Sequence, residues 1–241
     1  IGFYSFDDAA APMTDDSGTD NDLVSATADP TYLADGGVEG GTYSFDASHL
    51  EIPIDVNPVT VPELTIGAWV KTSDLSEGQR KTMGHDDGGW DRTIGLDARN
   101  AGDGFRYTSF IGNGRPVVGT PGPESEDGWT FIASVYDQTN NLVTVYVDID
   151  SSTTEEPVVG VTEPSGFGDG FGTMSLGSLR PDNTNEGWIG LIDNAFLFDQ
   201  ALDAGQIRRL RDGGKAAALA GLPPSDPRIA LGGGEVFGSV G

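Results

Sequence analysis

Residues 128–150 read GWTFIASVYDQTNNLVTVYVDID. Two alternating apolar runs flank the turn-forming DQTNN, so the stretch predicts a β-hairpin. The same period continues upstream. ELTIGAWVKTS (63–73) sets Leu64, Ile66, Ala68 and Val70 on one face of a strand. GFRYTSFIGNGRPVVGT (104–120) predicts a hairpin turning at GNG, and RKTMGHDDGGWDRTIGLDARN (80–100) one with its loop at Asp86–Asp91. IGFYSFD, GGTYSFDASHLEIPI, GTMSLGSL and WIGLIDNAFLFDQ add further strands. LDAGQIRRLRDGG (202–214) is the one helical pattern, with Asp203 as N-cap and Gly213 at its stop. Roughly a dozen short strands and one late helix, with no strand–helix alternation, predict an all-β antiparallel sandwich, a jelly roll.

YSFD occurs twice, at Tyr4–Asp7 and Tyr43–Asp46. The residues that follow the two copies are unrelated, which argues against a tandem module. Both read as strand ends with Tyr and Phe on one face and Ser and Asp on the other. One domain therefore covers residues 1–214, with residues 215–241 as an ordered tail packing on it or on a neighbour.

The chain has 241 residues, 36 of them glycine, and no cysteine, so neither disulfides nor thiolate metal sites contribute. Acids outnumber bases 38 to 13, a net charge of −25. That balance repels nucleic acid. It suits either a solvated acidic surface in salty water or calcium and cationic partners, and the two are compatible. No apolar run is long enough to span a membrane. A start at Ile1 gives the expectation of a processed or excised chain, whose signal peptide would already be gone.

Five pieces in order resemble the laminin G-like, concanavalin A-like jelly-roll superfamily in its bacterial extracellular form. They are YSFDD with DDSGTDND behind it, GGTYSFDASHLEIP, LTIGAWVKT, GWTFIASVYDQTNNLVTVYVD and GWIGLIDNAFLFDQALDAGQIRRL. The resemblance covers about residues 3–212 and says little about the C-terminal GLPPSDPRIALGGGEVFGSVG. It implies a calcium ion at the sandwich edge, held at Asp7, Asn21, Gly41 and Asp193. Independently, FDDAAAPMTDDSGTDND gathers oxygen ligands of the kind a hard cation needs, though not at EF-hand spacing. Asp193 also stands within an apolar strand, where a lone charge needs a partner, unless it caps a turn or faces water.

Members of the superfamily include glycan-binding modules, adhesion modules and polysaccharide-active enzymes. The hydrolases use a Glu-x-Asp-x-x-Glu strand that sets two carboxylates at catalytic distance. No such string is present; EIPID and ESED lack the third carboxylate and its spacing. His49 and His85 are the only histidines, too few for the lyase constellation, so the expectation is that the chain is not an enzyme. Trp69 and Trp129 read as core, and Trp188 is ambiguous. Trp90 sits in the polar Gly-Gly loop HDDGGWDR, which offers a sugar platform with His85, Asp87, Asp91 and Arg92, and with Arg106 and Tyr107 from the adjacent strand. The alternative is a tight turn with Arg92 paired locally and Trp90 packed on the sheet.

The expectation is an extracellular or cell-surface module that binds a polysaccharide or glycoconjugate or serves adhesion, with calcium as a structural ion. Two rivals are a structural subunit that self-associates through its tail and a polysaccharide-active enzyme with an atypical site.

Overall fold

A computed structural model describes residues 2–26, 28–75, 78–86, 92–98, 106–110, 116–121, 128–149, 153–154, 158–161, 172–182 and 185–221. In chain order the strands are β1 (Gly2–Tyr4), β2 (Val24–Ser25), β3 (Thr31–Leu33), β4 (Thr42–Asp46), β5 (Leu50–Ile52), β6 (Glu63–Thr72), β7 (Gln79–His85) and β8 (Arg92–Asp97). They continue with β9 (Arg106–Phe110), β10 (Pro116–Pro121), β11 (Thr130–Asp137), β12 (Leu142–Ile149), β13 (Thr153–Thr154), β14 (Val158–Val161), β15 (Met174–Leu176) and β16 (Ile189–Phe198), followed by helix α1 (Ala204–Leu219).

The strands form two sheets. One is ordered β13-β12-β11-β6-β16-β4-β3, with β1 also on β16 and β14 on β12. The other is ordered β10-β9-β8-β7-β15-β5-β2. All strand pairs are antiparallel, as in the expected sandwich. The hairpin at 128–150 forms as its pattern dictates: Thr130–Asp137 pairs residue for residue with Leu142–Ile149. Its turn is closed by the Asp137 carboxylate, which accepts from the Asn140 backbone N–H at 3.0 Å.

Alternation sorts the side chains of β6. Leu64, Ile66, Ala68 and Val70 enter the core between the sheets. Trp69 points the other way, into a second cluster beneath α1 with Phe3, Phe131, Phe196, Ile207 and Leu210. Both YSFD copies send Tyr and Phe into the main core, and they touch there: the Phe6 and Tyr43 rings meet edge to face at 5.1 Å. They are one local solution used twice. Phe6 adopts φ +60°, which ends β1 early and turns the chain toward the acidic loop.

The Asp203 N-cap is as expected: its carboxylate accepts from Gln206 N–H while the Gln206 side chain accepts from Asp203 N–H. The predicted stop at Gly213 is displaced. Gly214 takes φ +45° and kinks the helix, which then resumes to Leu219. Helical backbone thus runs through the 214/215 position that divided domain from tail in the sequence, and residues 222–241 lie outside the described residues.

Candidate functional site

The loop between β3 and β4, residues 34–41, meets the end of β1 and a bulge in β16. The bulge falls between Asp193 and Phe196, where the register against β6 shifts. It leaves Asp193 fully buried. Its Oδ2 accepts backbone N–H bonds from Val38 at 2.6 Å and Glu39 at 3.4 Å, and its Oδ1 accepts from Asn194 at 2.7 Å. Among the described residues no cation pairs with it. Burial pushes the Asp193 carboxyl up to about 7, the three N–H bonds oppose that rise, and the charge of Asp7 adds to it.

Glycines shape the surroundings. A Cβ on Gly37 would lie 2.6 Å from Asp193 Oδ2 and would also strike the Gly41 carbonyl oxygen. A Cβ on Gly40, at φ +57°, would collide with Asp7 Oδ1. Asp7, Gly41 and Asp193 therefore converge around one glycine-lined space. Their donors are hard oxygens: two carboxylates and a backbone carbonyl, the chemistry that calcium favours. Among the described residues no three acidic or histidine side chains converge on one point, so backbone oxygens would have to complete a coordination shell.

Asn21, the fourth predicted ligand, is engaged in a second cluster centred on Asp15. Its side-chain amide donates to Thr19 Oγ1 at 2.7 Å, its backbone N–H donates to Asp15 Oδ2 at 3.3 Å, and its carbonyl accepts from Tyr4 Oη at 2.8 Å. Asp15 is buried and also accepts from Phe3 N–H, Ser17 N–H and Thr19 Oγ1. Desolvation would raise its carboxyl, but these donors hold it below the usual value. Asp16 adds a bond from Ser5 N–H and a 2.6 Å ion pair with Lys215 of α1. Much of the acidic loop thus lies along β1, using carboxylates where a neighbouring strand would supply carbonyls. Asp15 is one of the oxygen donors that FDDAAAPMTDDSGTDND offers a cation in the sequence. Its signal was DDSGTDND, whose Asp, Ser and Thr spacing suits local side-chain to backbone bonds.

Burial withdraws His85, Arg92 and Tyr107 from the predicted sugar platform. Arg92 is wholly inside, where its guanidinium donates to the Val56, Val61 and Pro62 carbonyls and stands 5.4 Å over the Tyr136 ring. It faces the core because β8 alternates, with Arg92, Ile94 and Leu96 on one side. His85, paired opposite Arg92 in the register, is also buried, with Nε2 3.3 Å from Asp55 Oδ1. Tyr107 is a core residue. Arg106 is half-buried at the end of β9. Asp87, Trp90 and Asp91 lie outside the described residues. Trp188 is fully buried, donating from Nε1 to the Leu191 carbonyl. Trp69 and Trp129 are only half-buried.

The model of the concanavalin A-like lectin/glucanases superfamily matches residues 44–208. No curated protein matches the chain. Solved structures share its fold. The botulinum neurotoxin serotype D binding domain aligns with a TM-score of 0.60 at 12% identity, over 88% of this chain and 51% of that one. Trypanosoma rangeli sialidase in complex with sialic acid aligns at 0.56 and 14% identity, over 88% and 33%. Botulinum neurotoxin type C, whose cell entry depends on interaction with two ganglioside molecules, aligns at 0.54 and 12% identity, over 88% and 50%. The chain spans about half of each toxin chain and a third of the sialidase chain. At such identities the likeness is one of fold.

Proposed function

The chain belongs to the concanavalin A-like lectin/glucanases superfamily, and from that premise we propose that it is a carbohydrate-binding or adhesion module with a structural calcium ion. The observation that carries the calcium is Asp193, a buried carboxylate with no cationic partner among the described residues, facing the charge of Asp7 across a glycine-lined space. Asp7 and Asp193 would hold the ion by their carboxylates and Gly41 by its carbonyl. When bound, the ion supplies the positive charge that this pair of acids lacks. The N–H groups of Val38 and Glu39 already orient Asp193 Oδ2 toward the loop.

The partner is a polysaccharide or glycoconjugate, and the module works outside the cell or at its surface. Supporting this are the superfamily, the ganglioside dependence of one structural relative and the strongly acidic composition, which suits a solvated surface. No helix among the described residues is long and apolar enough to cross a membrane. We assign no catalytic role, because the sequence holds no three-carboxylate strand of the glycosidase type. A glycan array tests the binding role. Retention of no glycan in the presence of calcium would remove it. Reducing ends or unsaturated products released from laminarin or alginate, and lost on a point substitution, would replace it with an enzyme.

A further inference from the structure

We propose that the outer face of the β12-β11-β6-β16 sheet, where it borders helix α1, is a binding site for a sugar carrying a single carboxylate. The class of ligand rests on the glycan-binding reading above; the place rests on charge and packing. The chain has 13 basic residues, and four of them, Arg208, Arg209, Arg211 and Lys215, fall within eight positions of α1. Two of these are already neutralised, Arg211 by Asp212 at 2.7 Å and Lys215 by Asp16 at 2.6 Å. Arg208 and Arg209 are exposed and have no ion pair among the described residues.

The surface beside them carries aromatic rings. Register places Tyr146 opposite Ala133 and Phe131 opposite Trp69, all on the outer face of the sheet. Phe131 is buried, and Trp69 meets it edge-on at 5.6 Å. Trp69 and Tyr146 flank it half-buried, so each keeps surface for a ligand. Burial is the main influence that raises the Tyr146 phenol, the charge of Asp203 adds to it, and the charge of Arg208 opposes it. Partly exposed aromatic rings on the sheet face that α1 packs against, with an unpaired guanidinium on that helix, match a pyranose with a carboxylate: the ring's apolar face stacks, and the carboxylate takes two parallel N–H bonds from the arginine.

The net charge sets the size of the anion. At −25 the protein repels an extended polyanion. A single carboxylate seated on Arg208 answers mainly to charges within about 8 Å, the screening length in physiological salt. Terminal or isolated acidic sugars fit that limit.

The test is a glycan array bearing acidic glycans beside their carboxyl-reduced counterparts, followed by calorimetric titration of the best acidic glycan against the parent, Arg208→Ala and Tyr146→Phe. Each variant is checked by its melting temperature, and Arg208 is exposed enough for its replacement to fold. The expected result is a preference of about tenfold for the acidic member of a pair, equal to about 1.4 kcal/mol. Arg208→Ala brings the acidic glycan down to the affinity of its reduced counterpart. Equal binding of the acidic and reduced forms, or an Arg208→Ala variant that keeps the preference, overturns this site while the glycan-binding reading stands. A parent that retains no glycan of either kind overturns both.

Discussion

Asp193 accepts a hydrogen bond from the Val38 backbone N–H at 2.6 Å, joining the bulge of β16 to a loop 155 positions earlier in the chain. The bond holds a carboxylate in a place where burial pushes its proton affinity up to about 7. Without metal the folded state binds a proton that the unfolded state releases near its ordinary value of 3.8. The native state then holds more protons between those two values, so the contribution of Asp193 to stability falls as pH rises through that window. His49, whose value is lowered mainly by burial, acts in the opposite sense below 6.5. The difference between melting curves in calcium and in chelator cancels His49. We predict that this difference grows from pH 5 to pH 8, by on the order of a few kcal/mol, because calcium displaces the Asp193 proton. A difference that stays flat across the window contradicts the assignment.

We predict that Asp15 serves the fold and not the proposed ion. Asp15→Ala removes the acceptor for Phe3 N–H, Ser17 N–H, Asn21 N–H and Thr19 Oγ1. Leaving buried donors unmade costs about 1–3 kcal/mol each, less where water reaches them. Urea unfolding should show a loss of at least about 2 kcal/mol, equal in calcium and in chelator. A loss seen only in calcium would move Asp15 into the metal site.

Arg92→Met keeps the length of the side chain but strands the Val56 and Val61 carbonyls, which accept from Nη1 at 2.8 and 2.6 Å. The expected cost is about 3 kcal/mol, the range for breaking a buried charged contact. Glycan binding by the folded fraction should match the parent. A variant of parental stability that no longer binds glycan would restore Arg92 to the role its sequence context suggested.

Gly40→Ala probes the glycine-lined space. The left-handed φ of +57° costs a non-glycine residue about 1 kcal/mol, and the new methyl displaces the Asp7 carboxylate. Calcium affinity should fall while the metal-free melting point moves only slightly. Unchanged calcium affinity would place Asp7 outside the site.

The sandwich was legible because its longest strands alternate cleanly. The hairpin at 128–150 and strand 63–72 settle their own faces, since a shift of one residue would expose every core side chain. Asp193 was legible for the same reason: a charge on an apolar strand needs an explanation. Arg92 was misread because a charged residue beside a Gly-Gly loop looks exposed, whereas the alternation of β8 turns it inward toward carbonyls that arrive from residues 56–62, distant in sequence. The resemblance implies Asn21 as a ligand, and only the folded loop shows its amide donating to Thr19 and its backbone N–H to Asp15. At the end of the second YSFD copy the Asp46 N–H donates to Ser48 Oγ at 3.3 Å, with Ala47 at φ +50° closing the turn. Such choices between neighbouring polar groups depend on contacts that local pattern does not carry.

The most direct test of the account is a calorimetric calcium titration of the parent and of Asp193→Asn, each stripped with chelator beforehand. The account predicts one ion per parent chain, with melting raised by about 2.7 kcal/mol of stabilisation at 100 times the dissociation constant, and no binding heat or thermal gain for the variant. A parent that takes up no calcium, or a variant that binds it as the parent does, contradicts the site at Asp7, Gly41 and Asp193.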